Sequence, residues 1–266
     1  MAVVQCDFYS EALEMGTSIT AVLPQETPSI NPAAGPPADY PTLFLLHGLS
    51  DDHTMWLRRT SIERYVAPLG LAVVMPQAHR SYYTDEAHGN RYWTFLSEEL
   101  PSIARRFFRL SCLREDTFVA GLSMGGYGAI KWALRQPDRF AAAASLSGAL
   151  ALAQRLEGNG AVGWDKPLWD KIFDSQPIVG TPDDVFWLLD KAPSFPHLPE
   201  LYVSCGSEDA LYGESLRFES AARERDIPLT VDFGPGAHTW DYWDGKIQDV
   251  LKWLPLRRPP TALTEH

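Results

Sequence analysis

The chain has 266 residues, 45% of them hydrophobic and 21% charged. That length buries a large core within one α/β domain, and the composition excludes a disordered or fibrous chain. A formal net charge of -11, interrupted by no basic run longer than a pair such as Arg257-Arg258, disfavours nucleic acid as a partner.

The N-terminal stretch MAVVQCDFYSEALEMG has no basic start and no apolar run of signal-peptide length, and no window approaches a membrane span. A cytoplasmic location away from the membrane is expected. Cys6, Cys112 and Cys205 cannot all pair, and none forms a C-x-x-C motif, so the expectation is three small buried packing residues in a reducing compartment.

Two antiparallel strands, Ala2 to Phe8 and Ser18 to Leu23, open the chain. A proline-rich stretch, PQETPSINPAAGPPADYP, follows as a surface loop, because proline cannot serve a helix interior or a central strand. Six apolar runs come next: TLFLLH, LAVVMP, TFVAG, FAAAASLSG, ELYVSCG and LTVDFG. Their near-continuous apolar content suits strands buried on both faces, and the helix-like stretches between them predict a mostly parallel sheet. A region from about Leu150 to Pro199 carries Trp164, Trp169, Trp187 and several prolines, and is read either as a cap inserted over an active site or as a peripheral decoration. The tail RRPPTALTEH reads as frayed.

Thr117 to Ala120 reads as a strand and Tyr127 to Arg135 as a helix, so Gly121-Leu122-Ser123-Met124-Gly125 falls on a strand-to-helix turn. In that setting G-x-S-x-G holds a serine in a strained conformation above the strand ends, with the next amide, that of Met124, at a helix N-terminus. A serine hydroxyl needs a base oriented by a carboxylate, and on a sheet of this kind the order is Ser, then Asp or Glu, then His. ELYVSCG is followed by Ser207-Glu208-Asp209. Asp209 is the candidate, with Glu208 and Glu214 as rivals because one residue of register decides which side chain turns inward. LTVDFG is followed by Gly234-Pro235-Gly236-Ala237 and His238, which lies downstream of both. Beyond it Trp240, Trp243, Ile247, Val250, Leu251 and Leu254 recur at helical spacing and are read as core.

TLFLLH ends in His47-Gly48-Leu49-Ser50, where a second oxyanion amide belongs; Leu49 is the candidate and Ser50 the alternative. Asp51-Asp52-His53 has poor spacing for a metal and is read as a solvated loop. Gly125-Gly126-Tyr127-Gly128 lacks both the Walker lysine pattern and the dinucleotide fingerprint. No metal and no cofactor are expected.

Taken together, YSEAL, FLLHGLSDDHTMW, YWTFLSEELP, AGLSMGGYGAI, CGSEDALY and GAHTWDYW resemble the esterase D-like family, and within it the tributyrin esterases, from about residue 5 to residue 254. The resemblance implies one α/β-hydrolase domain over 1–266 that cleaves short acyl esters, with Ser123, Asp209 and His238 as its triad. It also brings in S-formylglutathione hydrolases, which have a cysteine in the loop where this chain reads Ser50-Asp51-Asp52-His53, and secreted feruloyl and acetylxylan esterases. An acyltransferase on the same acyl-enzyme is the remaining alternative. The expected partner is a small-molecule ester, and association with a second copy of the chain is left open.

Overall fold

A computed structural model describes residues 1–25, 39–157 and 166–257. Eight strands form one sheet in the order β1-β2-β4-β3-β5-β6-β7-β8. β1 (Ala2–Ser10) pairs antiparallel with β2 (Met15–Leu23), and β2 antiparallel with β4 (Ala72–Pro76). β3 (Thr42–Leu46), β4, β5 (Thr117–Leu122), β6 (Ala142–Leu146), β7 (Glu200–Gly206) and β8 (Leu229–Gly234) run parallel. Every apolar run named above is therefore a strand of this sheet, and the fold is an α/β-hydrolase fold.

Successive residues of each central strand face opposite sides, so the sheet sorts its side chains into two cores. Phe44, Leu46, Val74, Val119, Ala143 and Val203 pack on one face. They meet α4 (Leu100–Phe107), α5 (Met124–Arg135), α8 (Val185–Lys191) and α9 (Tyr212–Glu224) through Ala104, Ile130, Leu189 and Phe218. Leu43, Leu45, Val73, Phe118, Ala120 and Ala144 pack on the other, against Trp56 of α1 (Met55–Arg59), Ile62 and Val66 of α2 (Ile62–Val66), and Ile247, Val250 and Leu251 of α10 (Trp240–Trp253). Runs without alternation are what two covered faces require.

The chain passes from β3 to β4 on one side and then to β5 on the other, so order reverses at β3. In open α/β sheets the crevice beyond the carboxyl ends at such a reversal is where ligands bind. Here it is bounded by the loop after β3 and the turn after β5.

Two of the motifs far apart in sequence meet at the β1–β2 connection. Glu99, in the π-helical turn Phe95–Glu99 between α3 (Tyr92–Thr94) and α4, accepts from Ser10 Oγ at 2.5 Å, Glu11 N at 2.8 Å and Ala12 N at 3.2 Å. YSEAL and YWTFLSEELP are thus two halves of one contact.

Between β6 and β7 lie α6 (Leu152–Glu157), α7 (Lys166–Phe173) and α8. Trp169, Ile172 and Phe173 are buried, with the Trp169 ring 4.9 Å from that of Tyr82. Tyr127 Oη of α5 donates to Asp183 O at 2.7 Å. Residues 158–165, including Trp164, most of the proline-rich loop and the tail beyond Arg257 fall outside the described residues.

The cysteines depart from expectation. Cys205 on β7 is buried, but Cys6 is half-buried on the edge strand β1 and Cys112 is exposed in the loop between α4 and β5, where no second layer covers it. Among the described residues no helix is long and apolar enough to cross a membrane.

Candidate active site

β5 runs directly into Ser123, whose backbone sits at φ 53°, ψ -115°, a conformation that residues with a side chain rarely adopt. Three bonds hold it: Ser123 N donates to Leu146 O at 2.9 Å, and Ser123 O accepts from Tyr127 N at 3.1 Å and Ala149 N at 3.2 Å. A Cβ on Gly121 would strike the backbone carbonyl of Gly125, and one on Gly125 would strike Leu46 O and His47 O. Only glycines let the first turn of α5 press against the end of β3. Met124 N–H, in that first turn, has no intrahelical acceptor.

The predicted base and acid converge on this serine. His238 Nε2 lies 3.0 Å from Ser123 Oγ, and His238 Nδ1 lies 2.7 Å from Asp209 Oδ2. The His238 side chain is 36% exposed, while that of Asp209 is wholly covered. Burial pushes the Asp209 carboxyl upward. Hydrogen bonds from His238, the Leu211 amide and Ser147 outweigh it and hold the group below its usual range. An ionised Asp209 only accepts, so His238 carries its proton on Nδ1 and turns a lone pair on Nε2 toward the serine.

The two rival carboxylates are occupied elsewhere. Glu208 Oε2 accepts from Gly236 N and Oε1 from Ser207 Oγ at 2.9 Å, which ties the acid loop to the base loop. Glu214, on α9, accepts from Ala151 N at 2.8 Å and pairs with Arg155 at 2.5 Å, which anchors α6. The loops after β7 and β8 are also joined by Ser207 N to Gly234 O at 2.8 Å and Glu208 N to Gly236 O at 3.0 Å. They approach so closely that a Cβ on Gly206 would overlap Gly236 O.

The loop after β3, with Leu49 and Ser50, is fixed from below by His47. Ala78 N donates to His47 Nε2 at 3.0 Å, so the ring proton is on Nδ1, which donates to Gly48 O at 2.7 Å. Tyr83 Oη donates to His47 O at 2.9 Å. Desolvation pushes the His47 imidazole down to about 4, so it stays neutral. Asp51 Oδ2 accepts from Gly48 N at 3.3 Å, and burial raises its carboxyl. Asp52 binds Thr54 N and Oγ1 at 2.7 and 2.6 Å, and His53 Nδ1 lies 2.8 Å from Thr20 Oγ1. Among the described residues no group of three or more His, Cys, Asp or Glu could hold a metal ion.

Sequence reasoning leaves out two neighbours of the Ser123, His238 and Asp209 cluster. Trp243, read as core, is buried, and its ring also stands perpendicular to that of His238 with centroids 4.8 Å apart. Ser147, at the end of β6, accepts from Trp243 Nε1 at 3.1 Å. The Leu-Ser-Gly that ends the fourth apolar run, FAAAASLSG, is the sole sequence hint of it, since a polar residue at a parallel strand's carboxyl end borders the crevice.

A family model described as putative esterase matches residues 10–254. The chain is 28% identical over 264 residues to an acetyl esterase of Caldicellulosiruptor saccharolyticus, covering 96% of this chain and 98% of that protein. Among solved structures it is similar to FphF, a fluorophosphonate-binding serine hydrolase of Staphylococcus aureus with substrate bound, at a TM-score of 0.86 and 36% identity, covering 96% of this chain and 98% of that one. It is also similar to an S-formylglutathione hydrolase (FrmB) from Staphylococcus aureus, at a TM-score of 0.84, 36% identity and the same coverage.

Proposed function

The chain belongs to the putative esterase family and is a carboxylic ester hydrolase, and from that premise we propose that Ser123, His238 and Asp209 form its catalytic triad, acting on esters with short acyl chains. The observation that carries this reading is the continuous pair of contacts, 3.0 Å from Ser123 Oγ to His238 Nε2 and 2.7 Å from His238 Nδ1 to Asp209 Oδ2.

Ser123 Oγ attacks the ester carbonyl as His238 Nε2 takes its proton. The imidazolium that forms is stabilised by the ionised Asp209 beside Nδ1–H. Negative charge moves onto the carbonyl oxygen, where the amides of Leu49 and Met124 donate to it, each contributing about 3 kcal/mol to lowering the barrier. His238 then protonates the departing alcohol, leaving an acyl-Ser123. Water, deprotonated by the same imidazole, attacks the acyl carbon and releases the acid.

Ser123→Ala should lower turnover of p-nitrophenyl acetate and butyrate by about 10³-fold or more. Asp209→Asn should cost about 10⁴-fold because it permits the wrong histidine tautomer, while Glu208→Gln stays within a few-fold. Undiminished turnover in the first variant, or loss confined to the Glu208 variant, would overturn the assignment.

A thioester substrate is the second reading, favoured by 36% identity to a protein named S-formylglutathione hydrolase over nearly the whole chain. The same acyl-enzyme serves both. S-formylglutathione assayed beside p-nitrophenyl esters of increasing acyl length separates them: a kcat/KM ordering led by the thioester supports this reading, and one led by acetate or butyrate supports the first. A reducing cytoplasmic setting accords with the three free thiols.

A further inference from the structure

Two serines at the carboxyl ends of neighbouring strands share a left-handed backbone: Ser123 after β5 at φ 53°, and Ser147 after β6 at φ 49°. Such a conformation disfavours every residue but glycine and persists where the surroundings impose it. For Ser123 the reason is the nucleophile turn. Ser147 is outside the triad, yet it is fully buried and also at positive φ, with its N–H donating to Ser204 O of β7 at 2.7 Å.

That bond turns Ser147 toward β7 and the loop that carries Asp209. The Ser147 oxygen accepts the indole proton of Trp243 at 3.1 Å, which leaves the hydroxyl's own proton to be donated. Two acceptors neighbour it. One is the Asp209 carboxylate, which Ser147 helps to hold in its ionised form. The other is the Cys205 thiol, which burial pushes up to about 11, so that it stays neutral and accepts weakly. The indole that fixes Ser147 also stands at 90° to the His238 ring, 4.8 Å between centroids.

We propose that Ser147 and Trp243 are positioning residues for ester hydrolysis: the Ser147 hydroxyl fixes the indole of Trp243, and that indole sets the plane of the His238 imidazole. The proposal rests on the triad assigned above. It links the end of β6 to the base through one run of side chains, Ser147–Trp243–His238, with Asp209 on the far side of the imidazole.

Glycine at 147 separates the hydroxyl from the fold, since it adopts φ 49° without strain. Ser147→Gly should stay folded, with a melting temperature lower by a few degrees because the buried indole N–H loses its acceptor, while kcat on p-nitrophenyl acetate falls about tenfold and KM stays within about twofold. Trp243→Phe, which keeps an aromatic edge beside His238 and removes the indole N–H, should lower kcat similarly. Because the two act in series, the double variant should be about as slow as the slower single one. A folded Ser147→Gly enzyme with wild-type kcat, or a double variant whose loss is the product of the two single losses, would overturn the proposal. Ser123→Ala in the same assay distinguishes this outcome from a wrong triad, for which Ser123→Ala itself would stay active.

Discussion

His47 and His238 lie at the ends of strands of one sheet and differ wholly in what surrounds them. His47 is buried, with both ring nitrogens engaged by main-chain groups, and takes up a proton only near pH 4. An unfolded imidazole does so near 6.5. Between those values the unfolded chain binds more protons, so this contribution to stability is fully present above about 6.5 and lost as pH falls toward about 4, by up to about 1.4 kcal/mol per pH unit. Urea unfolding at pH 6.5 and pH 5 should differ by about 2 kcal/mol from this source; in His47→Asn that part of the difference should vanish, with lower stability at pH 7. A variant whose pH dependence matches the wild type would refute it. At this scale the sequence marked Ser123 and His238 through strand ends and order, but left Asp209 open against Glu208 and Glu214. Register decides among them, and register comes from the main-chain bonds that Gly206, Gly234 and Gly236 make, which no propensity encodes. The environment of Ser147 was hidden for the same reason.

Helix α5 begins at Met124 rather than Tyr127, although Gly125, Gly126 and Gly128 make its first turns poor helix by propensity. Packing overrides propensity here, because every residue from Met124 to Leu134 is buried. Such a helix reads as core on all sides, so the charge on Lys131 needs partners inside the protein. Its Nζ donates to Tyr82 O at 3.1 Å, Thr84 Oγ1 at 2.8 Å and Asp183 Oδ1 at 3.1 Å; Arg135 lies 3.7 Å from the same carboxylate. Asp183 precedes α8, so this ion pair fastens the β6–β7 insertion to the helix that presents Ser123. Asp183→Ala strands a buried ammonium and should cost about 3 kcal/mol in thermal or urea unfolding, whereas Lys131→Met, which removes the charge itself, should cost less. The reverse order would show that the insertion is held by its apolar contacts, Trp169 with Tyr82 foremost. The strands were legible because covered faces demand unbroken apolar runs; the docking of α7 and α8 was not, because it depends on pairs nearly fifty residues or more apart in the chain.

Both cores are built on alternate residues of the same central strands, so neither can be lost while the other stands. The insertion is pinned to that sheet through α5 and through Glu214 of α9. From this arrangement we expect one domain that unfolds as a unit: calorimetry should give a single transition with matching van't Hoff and calorimetric enthalpies, and a separate early transition would mean that 150–199 melts alone. The loops carrying Asp209 and His238 are bonded main chain to main chain, with Gly206 and Gly236 in contact. That seam divides the molecule's capacity to change. The side chains of Ser50, Asp52 and His53 on the β3 loop bond to neither Asp209 nor His238, whereas any backbone shift in the seam moves both together. Libraries built at Ser50, Asp52 and His53 should therefore yield altered substrate range at largely intact turnover, and those at Gly206, Asp209, Gly236 and His238 should yield inactive protein.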